Sequence, residues 1–166
     1  MYDSITLRRF SEEEYHEFFR HYEPDPVMDP HPFIYNKETV SRSYLYNHQY
    51  RQDYLHYGIF LDNYPVGSFQ LKRINKDNGS CEFGIILQSD RFKNKGIGTE
   101  AIRTGIRIAK DELKLKRMMG DTSGRNIRMQ KVFQKLGFRL IETVHGAFDF
   151  GDGNKDDRLL YVKDLV

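Results

Sequence analysis

The segment Arg91-Phe92-Lys93-Asn94-Lys95-Gly96-Ile97-Gly98-Thr99-Glu100-Ala101 decides how the rest of the chain is read. It is a basic turn holding two glycines, set between an apolar strand-like run (Phe83 to Leu87) and a long amphipathic helical pattern. Gly96 and Gly98 let backbone N–H groups approach a ligand with no Cβ in the way. The helix that follows adds its own unpaired N–H groups and the positive end of its dipole. Together these make a site for an anion, and a pyrophosphate suits it best.

Outward from the turn, the pattern predicts a single domain over residues 1–166 with element order βααβββαβαββ. Ile5 to Phe10 reads as a strand. Ser11 followed by Glu14 is a capping-box signature for a helix running to about Tyr22. Pro24, Pro26, Pro30 and Pro32 make residues 24–36 an extended loop, and a second helix is expected from Lys37 to about Tyr50. Leu55–Leu61, Val66–Ile74 and Ser80–Gln88 form an antiparallel meander, turning at Asp62 to Pro65 and at Asn75 to Gly79. The helix after the glycines puts Ile102, Ile106, Ala109 and Leu113 on one stripe. A short strand from Lys116 to Thr122 precedes a helix from Asn126 that carries Met129, Val132, Phe133 and Leu136, with Gly137 ending it. Strands at about Arg139–Phe150 and Leu159–Leu165 close the chain. A meander followed by a strand–helix–strand crossover implies an α/β mixed sheet with helices on both faces.

Composition narrows the function classes. At 166 residues, 39% hydrophobic and 30% charged, the chain is long enough for one real core. No apolar run approaches the roughly 20 residues of a membrane span. The opening Met1-Tyr-Asp-Ser has no signal-peptide character, so a cytoplasmic location is the expectation. The one cysteine, Cys81, excludes an internal disulfide, and the six histidines show no metal-ligand spacing, so no metal is expected. The net charge of +2 hides an asymmetry: residues 91–139 hold 14 Lys/Arg against 4 Asp/Glu, and the remainder 12 against 20. The basic residues are spread around two helices and a turn with few aromatics among them, which disfavours nucleic acid.

Three ligands compete for the turn. A triphosphate loop needs Gly-Lys-Ser/Thr, and Gly98 is followed by Thr99-Glu100. Gly96-x-Gly98-x-x-Ala101, with Asp121 about 20 residues on, has dinucleotide spacing. But Gln88 to Lys95 separate strand from glycine, and only about 45 residues follow Asp121, too few for a second half-fold. The third ligand is coenzyme A. Lys93-Asn-Lys-Gly96-Ile-Gly98 resembles the Arg/Gln-x-x-Gly-x-Gly/Ala run of the GNAT superfamily of N-acetyltransferases, with Lys93 in place of Arg/Gln. Asn126-Ile-Arg-Met-Gln-Lys-Val-Phe133-Gln-Lys-Leu136-Gly137-Phe138 resembles the family's second landmark. The motifs cover about residues 80–140, and the element order extends the likeness over the whole chain. The closing run Asp152 to Tyr161 is similar to the subgroup of ribosomal-protein and polyamine acetyltransferases.

The resemblance implies direct transfer of an acetyl group from acetyl-CoA to a primary amine in a ternary complex. It assigns the pyrophosphate to the backbone of Lys93, Asn94, Lys95, Gly96, Ile97, Gly98 and Thr99. The thioester carbonyl falls to a backbone N–H at Ile85, Ile86 or Leu87. Asn126 is either a helix cap or a ligand for the pantetheine arm. Phe133 stands where many members carry a Tyr general acid, and is expected to pack, against the pantetheine or the core. Tyr161 and water are the substitutes for that acid. Glu82, on one face with Gly84 and Ile86, is the candidate general base. Cys81 falls on the other face and reads as a core residue. The acceptor is expected near Tyr22 to Tyr35, where Asp25 and Asp29 are either cation ligands or turn residues. The partners expected are a small-molecule or peptide amine and, as a homodimer, a second copy of the chain; no membrane is expected. A non-catalytic acetyl-CoA-binding module and a dinucleotide-binding domain remain the alternatives.

Overall fold

The computed structural model describes residues 4–166; residues 1–3, read above only for signal-peptide character, lie outside the described residues. Strand β1 (Ile5–Arg9) passes into helix α1 (Glu12–Arg20) through the expected capping box. The Ser11 hydroxyl accepts the Glu14 N–H at 3.2 Å, and the Glu14 carboxylate accepts the Ser11 N–H at 2.9 Å. Phe10, just before the cap, packs edge-on against Tyr15 with ring centres 5.4 Å apart, which staples the turn from its apolar side. Helix α2 (Lys37–Leu45) is capped by Asn36 and continues as a π-turn over Tyr46–Tyr50, so the expected span is helical with a widened last turn.

The meander is β2 (Leu55–Leu61), β3 (Tyr64–Asn75) and β4 (Ser80–Leu87). Its first turn is tighter than expected. Asp62 and Asn63, at φ 48° and 68°, make a two-residue turn, so Tyr64 and Pro65 belong to β3. Helix α3 (Ile97–Arg107) ends in a second π-turn (Ile108–Glu112), and its buried stripe runs through Gly105 rather than Ile106, because the helix presses on Phe69 there. Ile97, Ala101, Ile102, Gly105, Ile108 and Ala109 are buried, whereas Ile106 and Leu113 are only partly so. Strand β5 (Arg117–Ser123) leads to α4 (Ile127–Lys135), and β6 (Arg139–Asp149) and β7 (Lys155–Asp164) follow. β7 starts four residues before the expected Leu159, because Lys155 to Arg158 pair with the outer half of β6.

The observed order is βααβββαβαββ, as read from the sequence. The seven strands lie in one sheet, β1-β2-β3-β4-β5-β7-β6, and β4–β5 is the parallel pair. Alternation along the strands divides the core into two layers. Ile59, Phe69, Leu71, Cys81, Phe83, Met118 and Tyr161 pack under α3 and α4. Phe60 and Ile86 pack under α1 and α2 with Phe10, Tyr15 and Phe18. β6 is exposed along most of its length on both faces and pairs with β7 through two register irregularities, at Leu140/Glu142 and Val144/Phe148. No described helix is long and apolar enough to cross a membrane.

The α1/α2 layer encloses His56, which is 1% exposed; its Nε2 lies 2.5 Å from the Ser68 hydroxyl and its Nδ1 is buried without a partner. Phe10, Tyr15, Tyr54 and His48 surround the ring. Burial, then the neighbouring His48 and Arg9, pushes the imidazole down to about 3. In the unfolded chain His56 takes up a proton as the pH falls through about 6.5, but the fold refuses it until about 3. This contribution to stability is therefore complete above pH 6.5 and is lost as the pH falls toward 3. Urea unfolding of wild type should show about 1 kcal/mol more loss between pH 6.5 and pH 5 than His56→Phe does. Equal losses would show that the imidazole is not the group refusing the proton.

Candidate active site

β4 and β5 pair only over Ser80↔Arg117, Cys81↔Met118 and Glu82↔Met119. Beyond these the strands part, and Phe83–Leu87 and Gly120–Ser123 line the two sides of a wedge-shaped opening in the sheet. Ile85, Ile86 and Leu87, the residues expected to hold a thioester carbonyl, lie along one side of it, each partly buried. The basic turn stands beyond the end of β4. Gly96, at φ 81°, is the N-cap of α3 and brings no side-chain acceptor to the helix end. The first hydrogen bond of the helix is Glu100 N–H to the Gly96 carbonyl at 3.0 Å, so the N–H groups of Ile97, Gly98 and Thr99 precede the helical ladder. A Cβ built at Gly96 has nothing within 4 Å, and one at Gly98 meets only Ile85 Cδ1 at 3.8 Å. Asn94 also has positive φ, 58°.

Lys93 occupies this turn differently from its neighbours. Its N–H donates to the Asp90 carbonyl at 3.1 Å, closing a 3₁₀ turn over Asp90–Phe92. Its side chain is 12% exposed, and its ammonium contacts the carboxylates of Asp90 and Asp25, the latter at 3.0 Å. Lys95 lies in the same turn, two residues on. Arg91 borders a cavity of about 440 Å³ that Arg20, His21, Glu23 and Gln88 also line.

Glu82 sits at the apex of the wedge, where the parallel pairing ends, on the α1/α2 face with Gly84 and Ile86. Its carboxylate lies 3.4 Å from Arg73, and its side chain is about one-fifth exposed. In the sequence Asp121 stood out only for its dinucleotide spacing from the glycines. In the fold it lies on the same face as Glu82, across the wedge on β5, with its carboxylate 2.7 Å from Arg158 Nε. The alternation of β5 around the buried Met118 was the signal that could have placed it there.

The opposite face carries Phe83, Phe133 and Tyr161. Phe133 is 1% exposed and lies ring on ring with Tyr161, with centroids 4.2 Å apart and planes 5° apart. A Cβ at Gly120 would lie 2.6 Å from Phe83 and 2.9 Å from Phe133, so the missing side chain lets both rings close under the apex. Burial raises the Tyr161 phenol above its ordinary value. Asn126 caps α4, its Oδ1 accepting the Met129 N–H at 3.2 Å. Cys81 is buried, and burial pushes its thiol up to about 12, which suits a core residue. Among the described residues no cluster of three His, Cys, Asp or Glu could hold a metal.

The loop between α1 and α2 crosses the strand ends like a strap. Glu23 N–H donates to the Gln88 carbonyl at 2.8 Å, and Arg125 Nε to the Val27 carbonyl at 2.8 Å. Met28 Sδ lies 3.3 Å from the Ser123 hydroxyl. Tyr35 bonds His16 at 2.7 Å. Asp25 and Asp29 also act as turn residues, accepting the N–H groups of Val27 and His31.

The family model for the acetyltransferase (GNAT) domain matches residues 4–139, most of the chain. The chain belongs to the GNAT acetyltransferase family. No curated protein matches it in sequence. Its fold is similar to several solved GNAT structures. A spermidine N-acetyltransferase from Vibrio cholerae, solved with CoA and spermine, has 17% identity and a TM-score of 0.84, over 97% of this chain and 95% of that one. RimL, a ribosomal L7/L12 alpha-N-protein acetyltransferase solved with coenzyme A, has 18% identity and a TM-score of 0.84, over 98% and 94%. A GNAT-family acetyltransferase from Bacillus anthracis has 18% identity and a TM-score of 0.79, over 99% and 97%. The GNAT assignment and the shared fold remove the dinucleotide-binding alternative.

Proposed function

We propose that this GNAT domain transfers an acetyl group from acetyl-CoA to a primary amine by direct attack. One observation carries the reading: the wedge between β4 and β5 leads from Glu82 at its apex to the unladdered N–H groups of Ile97, Gly98 and Thr99. The pyrophosphate rests on those groups, with Asn94, Lys95 and Gly96 shaping the turn. The pantetheine arm follows β4 past Leu87, Ile86 and Ile85, within reach of the Asn126 amide, and one of their N–H groups receives the developing oxyanion. Phe133 supports this path from beneath as a buried floor.

Glu82 takes the proton from the ammonium, and the free amine attacks the thioester carbonyl. Collapse of the tetrahedral intermediate breaks the C–S bond; Tyr161 gives the thiolate a proton and is reprotonated by the one the attacking nitrogen sheds in becoming an amide. Tyr161 suits that role because it stacks on Phe133, the residue standing where the family resemblance expects a Tyr. A second reading makes Asp121 the base, favoured by its place on the Glu82 face across the wedge. The solved neighbours named for spermidine and for a ribosomal-protein N-terminus frame the acceptor classes.

The test is thiol release from acetyl-CoA across a panel of polyamines, small amines and N-terminal peptides. Glu82→Gln should lower kcat roughly 100-fold with the best amine, and Asp121→Asn less than about tenfold. The reverse pattern moves the base to Asp121. Tight coenzyme binding without turnover on any amine would leave only a binding module.

A further inference from the structure

The strap over residues 23–35 touches every part of the wedge's far end. Through Glu23 it holds the end of β4, through Val27 and Met28 the end of β5 and the start of α4, and through Tyr35 it returns to α1. Its tie to the phosphate turn is ionic: Asp25 Oδ2 to Lys93 Nζ at 3.0 Å. Asp90 shares the same ammonium. Two carboxylates on one ammonium leave this cluster with a surplus negative charge, inside a turn that Arg91 and Lys95 otherwise keep basic. The Asp25 side chain is 28% exposed and that of Lys93 12%, so water screens this charge only in part.

We propose that the Asp25–Lys93 ion pair is a latch that the phosphates of the coenzyme open. The inference rests on the coenzyme site proposed above. An incoming pyrophosphate competes with Asp25 for the Lys93 ammonium and repels the carboxylate directly. Lys93 turns to the phosphate and Asp25 leaves. The turn hung on Asp25 then loosens, because Met28 N–H and Asp29 N–H donate to the Asp25 carbonyl at 2.9 and 2.7 Å. Asp25 is released into the acceptor side of the wedge as an unpaired carboxylate, the natural counter-charge for an ammonium. Donor occupancy thereby sets the conformation of the segment that meets the amine, and by linkage the strap sets the affinity for the donor.

The sign of this coupling is its test. Asp25→Asn keeps the side-chain oxygen that accepts the Val27 N–H at 2.9 Å but removes the charge that competes for Lys93. Calorimetry with coenzyme A should then show binding three- to tenfold tighter than in wild type. In a Lys93→Met background, where there is no ammonium to compete for, adding Asp25→Asn should gain less than about twofold. Hydrogen exchange at Met28 and Asp29 should speed up in wild type when coenzyme A is added, the opposite of the usual protection by a ligand. A tie that merely braces the site predicts weaker binding in Asp25→Asn and slower exchange with ligand, and either result overturns the latch while the coenzyme site stands. Failure of wild type to bind coenzyme A at all overturns the site and the latch together.

Discussion

Gly98→Val should weaken acetyl-CoA binding roughly a thousandfold, about 4 kcal/mol, while leaving the thermal midpoint unchanged or slightly raised. Gly98 lies in the first turn of α3 at a helical φ, and a Cβ there meets nothing closer than Ile85 Cδ1 at 3.8 Å. The fold has no need of glycine at this position, and a residue with less freedom in the unfolded chain should be neutral or stabilising. What the bare backbone does is leave the first N–H groups of the helix open to an anion. An isopropyl group set among them removes the approach to two or three charge-assisted hydrogen bonds, each worth about 1.5–3 kcal/mol. Calorimetry with acetyl-CoA and a melting curve on the same variant read the two halves of the prediction. Unchanged affinity would place the pyrophosphate elsewhere.

Gly105→Val should have the opposite signature, a loss of about 3 kcal/mol in urea unfolding and a midpoint lower by about 6–12 °C. Gly105 lies two helical turns beyond Gly98 on the same stripe, but a Cβ here would stand 2.2 Å from Cζ of Phe69. Phe69 is fully buried on β3 and stacks on Phe83, so it has nowhere to retreat. Helix propensity alone says that replacing a mid-helix glycine gains about 1 kcal/mol. Packing outweighs that gain, because helix and sheet would have to separate by more than the clash can be relieved by side-chain rotation. A stabilised Gly105→Val chain would mean that α3 sits farther from the sheet than described.

Features that depend on near neighbours were legible in the sequence. Ser11 with Glu14, the residue types around Asp62 and Asn78, and Asn126 with Gly137 each act within a few positions of the chain, and each produced the expected cap or turn. The glycine turn was legible for the same reason, since the N–H groups it exposes belong to the helix it starts. What escaped the reading is set by contacts between distant segments. Asp121 faces Glu82 across the wedge because β5 pairs with β4 for three positions and then departs. Lys93 was read as a phosphate contact, and nothing within its own turn announced a partner from 68 positions earlier in the chain. The π-turns escaped too, and so did the burial of Gly105 in place of Ile106, which is set by the close approach of α3 to Phe69 on β3.

The far edge of the sheet is built against open-ended strand addition. A long strand exposed on both faces and carrying Leu140, Ile141 and Phe148 has the makings of a template for runaway strand addition. The irregularities at Leu140/Glu142 and Val144/Phe148 break the rhythm of its outward N–H and C=O groups. Within the second of them Gly146 turns at φ 65° and His145 pairs with Asp157. The strand's safeguard against edge-to-edge pairing is thus its own misregister, and a deletion that straightened residues 141–147 would open the edge to strand addition before it cost the fold its stability.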